Sequence, residues 1–395
     1  MQSSADSTVS DPLSEGVLRS RDPAPVYLAS FIAIGISLSI IGPALSILRA
    51  QTGSSLAGIG VLFLTQGTGY MLGGFFAGRG YDAGFGHRQV ATALFLIAAI
   101  VLTMPYVHSL SALAALCAVN GAVSGVIDVG GNTLVIWVRQ GNVGPTMNLL
   151  HLSFALGALA TPLLTAIGLL TVTRIEAAVA IVVAVAALSY PSPRPVHLEK
   201  ASTTRAPRRL LMIVAVFFIL YVGLEAGFGG WIHTYGEEIG FSKNAAAGLT
   251  ATFWGSFAIG RLLASAVARR TTARLMITTT CAMALAAALA MVIGNGRVVV
   301  VWPATALFGI SVASQFPMMM TFADERLRVS GSDMSWFIAG AGIGGLTLPW
   351  LIGQFFDAHG AKAMPIAVST FGVATLAWFL FTAHALERHL LVSPD

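Results

Sequence analysis

The chain has 395 residues, is 56% hydrophobic and only 10% charged. A soluble domain carries about 25% charged residues, so a fold bathed only in water is excluded. The formal charge of +5 would suit nucleic acid, but the basic residues cluster in short turns between apolar runs, which excludes that partner as well.

Residues 1–25 are polar and read as a disordered tail. No cleavable signal is expected, because the first apolar run is long enough to stay as a span. Apolar runs able to cross roughly 30 Å of hydrocarbon are predicted near 26–48, 56–78, 89–107, 111–138, 146–170, 174–191, 210–234, 245–268, 274–294, 297–322, 332–356 and 364–386. Only turns separate them, apart from the proline-rich basic stretch 192–209. That stretch reads as a linker between six-helix halves at 26–191 and 210–388. The 42 glycines suit helices that associate in lipid through small residues. Cys117 and Cys281 fall inside apolar runs and read as small buried hydrophobes.

With the N-terminus inside, the inner segments hold Arg19, Arg21, Arg79, Arg88, Arg139, Arg194, Lys200, Arg205, Arg208, Arg209, Arg269, Arg270, Arg274, Arg326, Arg328 and Arg388. The outer segments hold Arg49, Arg174, Lys243, Arg297 and Lys362. The bias places both termini and the linker in the cytoplasm. The excess charge is therefore topological. The halves also resemble each other. LGALATPLL, with Gly157 and Pro162, matches IGGLTLPWL, with Gly344 and Pro349, and Gly121 matches Gly309 at nearly the same offset.

Between the second and third spans runs Gly78-Arg79-Gly80-Tyr81-Asp82-Ala83-Gly84-Phe85-Gly86-His87-Arg88. It reads either as a glycine turn whose Asp82 and Arg88 latch one access state or as a plain positive-inside turn. In the fourth span Gly121, Gly125, Asp128 and Asn132 share one face. A carboxylate at mid-span marks a functional site by default, and Asn132 donates and accepts as sugar hydroxyls require. The alternative is that Asp128 only ties helices together.

In the fifth span Asn148 and His151 share a face. His151 is read as a proton relay, as a neutral hydrogen-bonding group or as a packing residue. In the seventh span Tyr221, Glu225 and Tyr235 share a face with Trp231 nearby. An aromatic face beside a carboxylate suits sugar, although Trp231 and Tyr235 also fit an interfacial belt. Gln66, with Tyr70, in the second span, Gln315 in the tenth and Trp336 in the eleventh are weaker candidates. Arg261 reads as a state-locking or snorkelling residue near a helix end. No phosphate loop, metal-spaced His/Cys set or nucleophile–base pair is legible, so no enzyme, cofactor or metal is expected.

The signature loop at 78–88, together with Gly125-Val-Ile-Asp128-Val-Gly-Gly-Asn132, Asn148-Leu-Leu-His151, Tyr221-Val-Gly-Leu-Glu225 and Phe316-Pro317, resembles the major facilitator superfamily, and within it the fucose–proton symporter family. In that family the fourth-span acid is a glutamate implicated in proton coupling; Asp128 takes its position here. An acid on the first span has no counterpart, since Ser30, Ser37, Ser39 and Ser46 are the polar side chains there. The resemblance implies an all-α membrane protein of twelve helices in two pseudo-symmetric halves. It also implies alternating-access symport of a small hydroxylated solute, expected to be a sugar, with Asp128 as coupling acid. A proton is the expected coupling ion with sodium as the alternative, and Glu225 and His151 are read from their own placement as further proton-coupling candidates. A monomer in the plasma (cell inner) membrane is expected. An exporter of drugs or apolar metabolites and a non-transporting membrane sensor are the rival readings.

Overall fold

The computed structural model describes residues 22–139, 143–193, 207–268, 270–327 and 331–392. The tail before residue 22 and the linker residues 194–206 lie outside these segments. The described residues contain no strand. In chain order the long helices are α1 (Ala24–Ser39, then Ile41–Thr52), α2 (Leu56–Ile59, then Val61–Asp82), α3 (Gly86–Thr103) and α4 (Leu110–Val138). They continue with α5 (Val143–Ile167), α6 (Leu169–Leu188), α7 (Arg208–Glu238) and α8 (Lys243–Val267). The last four are α9 (Ala273–Gly294), α10 (Val298–Val312, then Gln315–Leu327), α11 (Gly331–His359) and α12 (Ala363–Val392).

Among the described residues, nine stretches are long and apolar enough to cross a membrane, and ten when α1 is counted across its bend. One of the nine, Trp336–His389, holds both α11 and α12. The remaining helix, α8, is as long as its neighbours but carries Lys243 and Arg261. Large apolar side chains stay exposed on the bundle surface, Phe75 at 78% and Ile293 at 82%, which is the surface a lipid solvent wants.

The two halves repeat one packing scheme. In the first, α1 packs on α5, α2 on α4 and α3 on α6; in the second, α7 packs on α11, α8 on α10 and α9 on α12. The glycines repeated in the sequence are the contact points of these pairs. A Cβ on Gly121 would lie 1.9 Å from the Gln66 carbonyl oxygen, and one on Gly157 2.2 Å from that of Ile32. Their counterparts Gly309 and Gly344 would meet the carbonyl oxygens of Phe253 at 2.5 Å and Ile219 at 2.1 Å. Lipid offers no hydrophobic drive for helix association, so close backbone contact supplies the attraction.

Two breaks in the helical run set the depth and direction of their neighbours. Between α5 and α6 the turn is the single residue Gly168, at φ 152°, a conformation that needs glycine. Its tightness starts α6 at Leu169, five residues before the predicted span. In α1 the axis bends by 43° between Ser39 and Ile41. Pro43 lacks the N–H that would have closed the turn on the Ser39 carbonyl.

The halves meet through α2 against α11 and α5 against α8, and the second segment of α1 packs on α7. The end of the bundle that holds Ala24, Tyr190 and Arg208 is its near end, and the opposite one its far end. At the far end the halves are bolted together. The Asp357 carboxylate of α11 accepts from the backbone N–H groups of Leu56 (3.2 Å) and Ala57 (3.1 Å) at the start of α2. Gln354 Nε2 donates to the Ala57 carbonyl at 3.1 Å. Beneath them Trp231 stacks on Phe356 at 5.0 Å, leans on Phe63 at 5.8 Å and donates its Nε1–H to the Pro349 carbonyl at 2.7 Å.

Candidate functional site

The two mid-span carboxylates stand in matching settings. On α4, Asp128 is partly buried and accepts the Tyr70 hydroxyl of α2 at 2.7 Å. Asn132, one turn on, donates Nδ2–H to the Asp128 carbonyl at 2.8 Å and lies 3.4 Å from the carboxylate. The glycines of this face serve packing rather than ligand space: a Cβ on Gly125 would lie 2.2 Å from the Tyr70 carbonyl oxygen. They draw α2 close enough for Tyr70 to reach Asp128. On α7, Glu225 is also partly buried and accepts the Tyr221 hydroxyl of the same helix. Phe217 stacks on Tyr221 at 6.1 Å and Phe316 of α10 tilts against it at 6.4 Å.

Arg261 sits where the halves meet. It lies over the Phe257 ring at 4.8 Å, on the helix that packs against α7 of its own half and α5 of the other. The sequence places Arg261 near a helix end. Six residues remain before α8 ends at Val267. His151 stands edge-on to Phe31 of α1 at 5.9 Å and is partly buried. Nearby, Phe154 of α5 meets Trp254 of α8 edge-on at 6.2 Å. The group brought together is thus Tyr70, Asp128 and Asn132 on one seam, and Tyr221, Glu225, Arg261 and His151 across the α5–α8 seam.

Other expected site residues lie elsewhere. Asn148 is exposed. Gln66 is buried and donates to the Ser37 carbonyl at 3.3 Å, a structural tie to α1. Gln315 is fully buried, 3.5 Å from the Ser311 carbonyl of its own helix. Trp336 is exposed near the start of α11, under the Arg208 guanidinium at 5.4 Å. Trp231 belongs to the far-end seal. Tyr235 lines a surface cavity of about 450 Å³ at the far end, with Asn295, His359 and Lys362. A second cavity of about 410 Å³ lies at the near end beside His87, Arg88 and Tyr190. Asp82 and Arg88 are exposed, and no hydrogen bond or ion pair holds either among the described residues. The held residue of that loop is His87, bonded to the Tyr27 hydroxyl at 2.8 Å and the Tyr190 carbonyl at 3.0 Å.

A third membrane acid is not legible in the sequence. Glu176 falls at the mouth of the predicted sixth span, where a charge is unremarkable. With α6 starting at Leu169 it lies two turns inside and is fully buried. Treating the glycine at 168 as a complete turn would have exposed it.

The Major Facilitator Superfamily model matches residues 27–349. The sodium-dependent glucose transporter 1 of Danio rerio is 26% identical, over 93% of this chain and 69% of its own length. Among solved structures, a D-xylose–proton symporter superposes with a TM-score of 0.74 at 11% identity, covering 91% of this chain and 96% of that one. The nucleoside transporter NupG superposes at 0.72 with 13% identity, covering 92% and 98%.

Proposed function

The chain belongs to the Major Facilitator Superfamily, and on that premise we propose that it carries a sugar or similarly hydroxylated small molecule across a membrane by alternating access, coupled to a cation. It is a multi-pass membrane protein and not an enzyme. The observation that carries the reading is the pair of mid-span carboxylates, one in each half and each held by a tyrosine hydroxyl, Asp128 by Tyr70 and Glu225 by Tyr221. Polar groups that meet where two halves join change their company when the halves rock, which is what a transport site needs. Two partly buried carboxylates with spare lone pairs, the Asn132 amide and two tyrosines supply the acceptors and donors that hydroxyl groups take. Phe316, partly buried beside Tyr221, supplies an apolar face for the C–H surface of a sugar ring.

The charge bias of the loops puts the near end in the cytoplasm. The state described, sealed at the far end by Asp357 and Trp231, is then closed to the outside. In this reading the protein sits in the plasma membrane with both termini cytoplasmic. Asp128 is the first choice as coupling acid, exchanging a proton. A sodium ion is the second choice, favoured by the relative named as a sodium-dependent glucose transporter.

Counterflow of labelled sugars in proteoliposomes tests the proposal, followed by uptake under an imposed pH or sodium gradient. Saturable counterflow of a sugar supports it. Flux of apolar cargo alone would make the protein an exporter, and flux of nothing would leave a sensor.

A further inference from the structure

The three acids of the membrane interior are not equally placed. Asp128 and Glu225 are partly exposed and each takes a tyrosine proton. Glu176 is fully buried in the first half, and neither carboxylate oxygen has a hydrogen-bond partner among the described residues. An ion left so is far too costly to keep without a compensating charge.

Its polar neighbour is Ser37 of α1. The Ser37 hydroxyl has a single proton, and it goes to Asn120 Oδ1 at 2.8 Å. In this orientation Asn120 Nδ2 also donates to the Ser37 carbonyl at 3.4 Å. Gln66 Nε2 donates to the same carbonyl at 3.3 Å. Toward Glu176, then, Ser37 offers lone pairs alone. Acceptor faces acceptor in an apolar interior, and one positive charge between them resolves the conflict.

No other charge among the described residues does so. Arg174, on the same helix, is exposed. The helices packed against α6 are α1, α3 and α5. Their titratable and charged groups, Asp22 and Tyr27 on or before α1, His87 and Arg88 on α3 and His151 on α5, lie toward the near end, and Arg49, beyond the bend of α1 at the far end, donates Nε–H to the Ser54 carbonyl at 3.2 Å. His87 is bonded to Tyr190, just beyond the end of α6 and fourteen residues from Glu176, a separation of about 20 Å along a helix.

We propose that Glu176, with the Ser37 hydroxyl and Asn120 Oδ1, is a binding site for one monovalent cation, a proton or a sodium ion, inside the first bundle and apart from the solute site. The inference rests on the transport reading for its purpose, though not for its test. Its place suggests how a bound cation acts. Ser37 lies three residues before the bend of α1, and the segment beyond the bend packs on α7 of the other half. A Cβ on Gly42 of that segment would lie 2.8 Å from the Gly230 carbonyl oxygen. Occupancy at Glu176 therefore bears on the hinge that leads to the far-end seal. Discontinuous helices of this kind hold coupling ions in other transporters.

The test uses the purified full chain in detergent and needs no solute. Melting temperature is measured in sodium chloride against choline chloride, and across pH 6 to 9 without sodium, for wild type, Glu176→Gln and Ser37→Ala. A sodium occupant raises the wild-type melting temperature by a few degrees in sodium and leaves Glu176→Gln unmoved. A proton occupant gives no sodium effect, but a pH dependence that Glu176→Gln loses. Ser37→Ala keeps the carboxylate and should weaken the response about tenfold in cation concentration. It also serves should Glu176→Gln fail to fold. Variants that respond as wild type does, or a wild type that responds to neither cation, overturn the proposal. Proteoliposomes without any flux would instead remove the transport reading and leave a measured cation response standing.

Discussion

The far-end seal can be loosened at a single residue. Asp357 is exposed, and its carboxylate binds two N–H groups at the start of α2 across the interface between halves. Those groups carry the positive end of the α2 dipole. Removing such a capping side chain costs about 0.5–2 kcal/mol. That interaction exists only while the far end is closed, so the whole loss falls on one state. Asp357→Ala should shift the ratio of far-closed to far-open protein by roughly two- to thirtyfold. Asp357→Asn keeps one acceptor oxygen and loses the charge, worth about 0.3–1 kcal/mol at a helix start, and should fall between. Spin labels at Ser111 on α4 and Ala358 on α11, both exposed at the far end, report the separation of the halves by pulsed electron resonance. A longer-distance population should grow in the order wild type, Asn, Ala. Identical distance distributions in all three would refute the latch, and the Trp231–Phe63 contact and the Gln354–Ala57 hydrogen bond would then carry the seal.

Glu225→Gln should weaken solute binding about ten- to a hundredfold, the worth of a hydrogen bond to a charged group at roughly 1.5–3 kcal/mol; calorimetric titration checks it, and unchanged affinity would leave Glu225 a structural acid. Asp128→Asn should abolish gradient-driven uptake and spare solute exchange, and full accumulation in that variant would remove its coupling role. Gly157→Ala, with its new Cβ 2.2 Å from the Ile32 carbonyl oxygen, should cost about 1–3 kcal/mol or more through overpacking. Gly78→Ala, which meets nothing within 4 Å, should leave the melting temperature unchanged or raised. A cysteine at Ser202 should react only with membrane-permeant reagents in intact cells; labelling by an impermeant one would invert the topology.

The sequence by itself determined the architecture. Twelve apolar runs, a basic linker and a consistent glycine offset are one-dimensional signals, because each span must satisfy its own backbone within lipid. The pairing of Gly121 with Gly309 and of Gly157 with Gly344 marked the halves as repeats, and the structure shows which helices touch there. Asp128 and Glu225 were legible too, since a carboxylate deep in an apolar run has few explanations. Only the tertiary structure decided what each polar group meets. Trp231 and Gln66 look like site residues on a helical wheel, yet their partners, the Pro349 and Ser37 carbonyls, come from helices that no periodicity identifies. Arg261 belongs with Glu225 and His151 only because α8 packs against both α7 and α5. Glu176 is hidden in the sequence because a turn as short as Gly168 leaves no polar stretch to mark it. Read from the sequence, the span therefore begins where the acid sits, and burial, which depends on three neighbouring helices at once, has no trace in the order of residues.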